Sequence, residues 1–112
     1  MKNEIKEGVL VISPEGNLLG EQGNASVMEL LKTNIDSGIN KVLFNLSGVK
    51  FINSTGLGML LGAVSKTRKA GGEMTLCAVP EQTIKLLQMT KLESVFAMHA
   101  DEAGAISFLK GV

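Results

Sequence analysis

Val9-Leu10-Val11-Ile12 is an unbroken apolar run rich in β-branched residues, closed by Ser13-Pro14-Glu15-Gly16-Asn17. A run this short and this branched reads as a strand buried on both faces, and the residues after it carry turn chemistry. Strands covered on both faces belong to parallel sheets sandwiched by helices. The rest of the chain fits that frame. Lys2 to Lys6 alternates weakly and reads as an edge strand. From about Glu21 to Ser37, Met28, Leu31 and Ile35 recur at helical spacing with Leu30 beside them, and Gly38 is placed to stop the helix. Val42-Leu43-Phe44 is a second buried strand, ending near Asn45-Leu46.

A strong helical pattern follows Asn53 and runs to Ala70, closed by Gly71-Gly72. Met74 to Val79 is a further strand, stopped by Pro80. Glu81 to Met89 reads as a short helix with Ile84 and Leu87 inward, Val95 to Met98 as a last strand, and Asp101 to Leu109 as a last helix packing Ala105, Ile106 and Leu109. Strands joined through helices imply crossovers and a mostly parallel sheet. The expected fold class is α/β, a mostly parallel mixed sheet packed with helices, in one continuous domain over residues 1–112.

Composition narrows the function. Of 112 residues, 45% are hydrophobic and 20% charged, which argues against disorder. Eleven basic residues balance eleven acidic ones, so long-range attraction to nucleic acid or an anionic membrane has little support. Aromatics are 4%, without Trp or Tyr, which weakens any base-stacking platform. The N-terminal residues scatter charge and hold no apolar core of a signal peptide, and no apolar run is long enough to span a bilayer. A cytoplasmic domain, monomeric by default, is expected. A lone cysteine, Cys77, inside an apolar strand reads as an inert core thiol. A lone histidine, His99, at a strand end makes a zinc site of usual composition a poor reading, and neither metal nor cofactor is expected. An enzyme is not expected either. Ser54 lies in no Gly-x-Ser-x-Gly elbow, no Walker-type lysine follows a glycine loop, and the carboxylates are scattered. Lys66, Arg68 and Lys69 cluster where they complement a helix C-terminus.

The helix after Asn53 carries the most information. At about 100° per residue, Leu57, Leu60, Leu61 and Val64 fall on one side, which is expected to face the sheet. Thr55, Gly58, Met59, Gly62 and Lys66 fall opposite, where charged residues would be usual. A mid-helix glycine costs about 1 kcal/mol relative to alanine. Two of them facing outward suggest a surface that something approaches closely, with Met59 as an adaptable apolar contact. A neighbouring element of the same domain could equally cover that face, and the residues leave both readings open. Ser54 is expected to be the helix N-cap, its hydroxyl at the mouth of a helix with free amides and a positive dipole end.

The stretch Phe51-Ile52-Asn53-Ser54-Thr55-Gly56-Leu57-Gly58 resembles the STAS domain, shared by sulfate transporters and anti-sigma factor antagonists. That family's signature is Asp-Ser-(Ser/Thr)-Gly-Leu-Gly after a strand. The flanks resemble it too: Val42 to Leu46, then Gly71-Gly72-Glu73-Met74-Thr75-Leu76-Cys77, then Leu86-Leu87-Gln88-Met89-Thr90-Lys91-Leu92. The resemblance implies a STAS-like fold. It also implies an antagonist that binds an anti-sigma factor serine kinase (a GHKL-type ATPase), frees the sigma factor, is switched off by phosphorylation of Ser54, and is reset by a PP2C-type phosphatase. The implied partner-binding residues are Asn17, Asn53, Thr55, Gly56, Gly58, Met59 and Gly62. Two positions depart from the family pattern. Asn53 stands where aspartate is usual, and Leu19 where many antagonists carry an acid. Both remove negative charge, which leaves room for a STAS scaffold subunit of a transporter or stressosome-like complex that needs no phosphate. A small-ligand or nucleotide module would instead show a cleft lined by Asn17, Asn53 and Thr55.

Overall fold

A computed structural model describes residues 2–18 and 21–112, the side chains of residues 17, 18 and 21–24 excepted. In chain order the elements are β1 (Lys2–Lys6), β2 (Val9–Ser13), β3 (Gly16–Leu18), α1 (Glu21–Asp36), β4 (Lys41–Asn45), β5 (Val49–Ile52), α2 (Ser54–Lys69), β6 (Glu73–Cys77), α3 (Glu81–Met89), β7 (Ala97–His99) and α4 (Glu102–Lys110). The main sheet runs β1-β2-β4-β6-β7. Only the β1–β2 pair is antiparallel, with Lys6 opposite Val9 across a two-residue turn. Glu7 (φ 52°) and Gly8 (φ 81°) both take left-handed conformations, the pattern of a two-residue hairpin turn whose twist matches the right-handed twist of the strands it joins.

The parallel strands advance across the sheet in one direction. Right-handed crossovers must then place α1, α2 and α3 on the same face. Side chains alternate accordingly. Leu10, Ile12, Val42, Phe44, Met74 and Leu76 join α1–α3 residues such as Leu31, Leu60 and Leu87 in the larger core. Val9, Val11, Leu43 and Cys77 point to the other face, where Ala105, Ile106 and Leu109 of α4 cover them. The double burial expected of Val9–Ile12 is therefore met by helices on both sides. Burial pushes the Cys77 thiol up to about 11, with the Glu102 and Asp101 carboxylates adding to it. At neutral pH it is a thiol, not a nucleophile.

Helix ends follow local rules. Gly38 (φ 94°) and Gly71 (φ 79°) take the left-handed position past α1 and α2. At α1, the Gly38 amide donates to Ile35 O and that of Ile39 to Asn34 O, both 2.9 Å. At α2, Gly71 donates to Arg68 O and Gly72 to Thr67 O, both 3.0 Å. Both are paired C-terminal closures of the Schellman kind. Helix α4 is tied along its length. Lys6 Nζ reaches Glu102 Oε2 at 2.6 Å, Asn45 Nδ2 donates to Glu102 Oε1 at 3.2 Å, and Lys110 Nζ meets Glu7 Oε1 at 2.8 Å.

Several sequence expectations need correction. The strand expected over Met74 to Val79 ends at Cys77, where Ala78 turns to a φ of 52°. The last strand is shorter and later than Val95 to Met98, because Val95 packs on the core flank and Ala97–His99 form the ladder to β6. A second, two-stranded parallel sheet, β3–β5, was not expected at all. Leu61 is only partly buried, for a reason that concerns the site.

Candidate functional site

The loop from β5 into α2 is one residue long. Ile52 ends the strand and is buried, and Ser54 begins the helix, so the capping position falls on Asn53 rather than Ser54. Asn53 is extended (φ −108°, ψ −176°), and its Oδ1 accepts the Gly56 amide at 2.9 Å. Its carbonyl accepts the Leu57 amide at 2.9 Å, which starts the helical ladder. An asparagine is as good a cap as an aspartate, so the turn survives the loss of the family's acid. Ser54 is left as the first helical residue, exposed, as is Thr55. Their amides belong to the set that a helix start leaves without intrahelical acceptors. The first turn of α2 holds no acidic side chain, and its last turn holds Lys66, Arg68 and Lys69.

The buried side of α2 is Gly56, Leu57, Met59, Leu60, Ala63, Val64 and Thr67. Relative to the expected Leu57/Leu60/Leu61/Val64 face, the helix is rolled by roughly 70°, taking about 100° per residue. The buried arc takes in the small residues Gly56 and Ala63 along with Leu60 and Thr67. Leu61 is displaced to the flank. Met59 is carried inside, 4% exposed, and joins the larger core. It is not the outward apolar contact that the wheel suggested. Gly56 is also buried, its amide taken by Asn53, so its place is structural.

The two outward glycines separate. A Cβ on Gly62 would meet Met28 Cε of α1 at 4.0 Å, so the neighbouring helix borders that position. A Cβ on Gly58 would meet nothing within 4 Å. Gly58 lies four residues after Ser54 and hence on the same helix face. The exposed site is therefore Ser54, Thr55 and Gly58, with Asn53 behind them. The backbone of Asn17 stands opposite Phe51, where β3 pairs with β5. Leu19 lies outside the described residues. None of the described clefts is lined by Asn53 or Thr55; the broadest, about 740 Å³ and open, is bordered by Ser13, Gly16, Ser47 and Lys50.

Among the described residues, no group of three or more His, Cys, Asp or Glu is placed to hold a metal ion. No helix among them is long and apolar enough to cross a membrane. His99 is half-buried at the end of β7, its ring 4.9 Å from that of Phe108.

Known proteins share this fold. Over 114 residues the chain is 26% identical to the anti-sigma F factor antagonist of Paenibacillus polymyxa, covering 97% of this chain and 93% of that one. A Thermotoga maritima crystal structure assigned to the anti-sigma factor antagonists superposes with a TM-score of 0.86 at 20% identity, over 97% and 93% of the two chains. The Bacillus determinant SpoIIAA in its phosphorylated form superposes with a TM-score of 0.74 at 22% identity, over 95% and 96%. Residues 1–105 match the STAS domain, and the chain belongs to that family.

Proposed function

We propose that the protein is an anti-sigma factor antagonist that docks an anti-sigma factor serine kinase on the exposed Ser54–Thr55–Gly58 face and releases it when Ser54 is phosphorylated. A PP2C-type phosphatase would restore the docking form. One observation carries the reading: an exposed, neutral hydroxyl at the first position of α2, with no acidic side chain in that turn and an open helix face one turn on. The Paenibacillus polymyxa relative, an anti-sigma F factor antagonist matched along nearly its whole length, supports the partner class. The phosphorylated form of SpoIIAA, which has the same fold, supports the modification.

The chemistry is electrostatic. A phosphate adds about −1.5 to −2 charge and three acceptor oxygens. Within its own domain it would sit at the positive end of α2, which tolerates it. Beneath a docked kinase it would lose water and face the nucleotide phosphates, at a cost of several kcal/mol. Each 1.4 kcal/mol is tenfold in affinity, so one phosphate suffices to separate the pair without reshaping the domain.

The test has two arms. The domain is incubated with its kinase and ATP, and the product mapped by mass spectrometry; the phosphate is expected on Ser54. Wild type, Ser54→Ala and Ser54→Glu are then titrated against the kinase by calorimetry. Ser54→Ala is expected to bind and Ser54→Glu to lose at least a hundredfold. A phosphate elsewhere, or equal binding by all three, refutes the switch.

A further inference from the structure

β5 buries Val49 and Ile52 and turns both Lys50 and Phe51 outward. Regular alternation cannot do this, because residues three apart point to opposite faces. The β3–β5 ladder shows how it is done. Gly16 pairs with Val49 and Asn17 with Phe51, so the register slips by one residue and Lys50 is left without a partner on β3. Such a bulge re-aims the side chains beside it and is common next to functional sites. Its result is a phenylalanine half exposed, at 50%. Phe44 and Phe96 are buried, and Phe108, 37% exposed, has its ring 4.9 Å from that of His99 at a tilt of 42°. Burying Val49 and Ile52 accounts for the bulge, but not for an aromatic ring on the outward side, where a polar residue would serve the fold as well.

Phe51 stands three residues before Ser54. Even a fully extended chain keeps those two Cα atoms within about 11 Å. A partner that covers Ser54 with an ordinary footprint of about 800 Å² reaches that far. An aromatic ring that such a footprint buries contributes much contact area, and aromatic residues including Phe are enriched in interface cores. We infer that Phe51, aimed outward by the bulge in β5, is the apolar anchor by which the anti-sigma factor grips this face. The assignment rests on the proposed function above and adds to it a residue outside the signature loop. It also divides the labour: Phe51 supplies affinity, and Ser54 sets whether the affinity can be used.

The experiment titrates each anti-sigma factor encoded in the source genome, purified, against wild type, Ser54→Glu, Phe51→Ala and Ile5→Ser. Ile5, 53% exposed on the edge strand β1, controls for loss of any surface apolar group. Phe51→Gln repeats the test if circular dichroism shows that alanine disturbs the fold. The expected result is one factor bound by wild type, abolished by Ser54→Glu, weakened at least tenfold by Phe51→Ala, and changed less than threefold by Ile5→Ser. If Ser54→Glu abolishes binding while both Phe51 variants bind within threefold of wild type, the anchor is refuted and the proposed function stands. Equal losses from Phe51→Ala and Ile5→Ser refute the anchor too. If wild type binds no factor, the proposed function fails and the anchor with it.

Discussion

At the scale of single residues, the site depends on where glycine is required and where it is merely permitted. A Cβ on Gly72 would lie 1.8 Å from the carbonyl oxygen of Asn40 and 2.7 Å from its carbon. Both are main-chain atoms, and the Glu73 amide bonds that same oxygen at 3.1 Å. Nothing there can swing aside, so Gly72→Ala is expected to push the start of β6 away from β4 and destabilise by about 2 kcal/mol or more. Urea unfolding, read as a fall in midpoint at unchanged slope, measures it. Gly58 is the opposite case. No neighbour needs its hydrogen, and its backbone is helical, so Gly58→Ala is expected to stabilise the domain by about 1 kcal/mol. The same substitution puts a methyl group on the docking face and is expected to weaken kinase binding in calorimetry. A variant both more stable and tighter binding would remove Gly58 from the interface.

Among the elements, legibility tracked length and periodicity. Helix α3 was readable to the residue, Glu81 to Met89, because Pro80 fixes its start and Leu87 anchors its apolar side. The branched runs of β2 and β4 were equally plain. The three-residue β3 and four-residue β5 left no trace, since neither is long enough to show alternation and the bulge breaks what alternation there is. In α2 the helix itself was obvious and its roll was not. Counting leucines located the apolar arc, but the buried side also takes in Gly56, Ala63 and Thr67, which a hydrophobicity pattern hardly registers. That roll is why Met59 was misplaced. The capping residue was missed by one position, because Asn53 and Ser54 are both good caps and only the end of β5 decides between them. Helix α4 makes its own prediction. Hydrogen bonds from Lys6 first, then Asn45, hold the Glu102 carboxyl below its ordinary value of 4.5. Its folded pKa is thus lower than its unfolded one. The stabilisation is complete above the unfolded pKa and disappears as pH falls through the folded one. Glu102→Gln is expected to be less stable than wild type at pH 7 and to converge with it on acidification below about pH 4. Urea midpoints from pH 7 to 3 test this, and a gap that widens in acid contradicts it.

For the molecule as a whole, the question is whether a charge at Ser54 acts on the fold or only on what the fold presents. The loop into α2 is held by Asn53, through bonds to the Gly56 and Leu57 amides in which the Ser54 hydroxyl has no part. Behind it, Leu60 and Val64 fix the helix to a core that spans the sheet. A negative group at Ser54 meets the positive end of α2 with no carboxylate in the same turn. An anion in that position stabilises by about 0.3–1 kcal/mol at low salt. For a domain near this size that raises the melting midpoint by roughly 1–6 °C. Ser54→Glu is therefore expected to melt at or slightly above wild type in dilute buffer, with the gain fading as salt is added. Calorimetric melts at low and high ionic strength measure both. The sign matters beyond the number. If the charged variant melted well below wild type, its failure to bind would follow from loosened structure. If it melts higher and still fails, the loss of binding arises from the charged group at an intact surface, through desolvation and repulsion, and not from the fold.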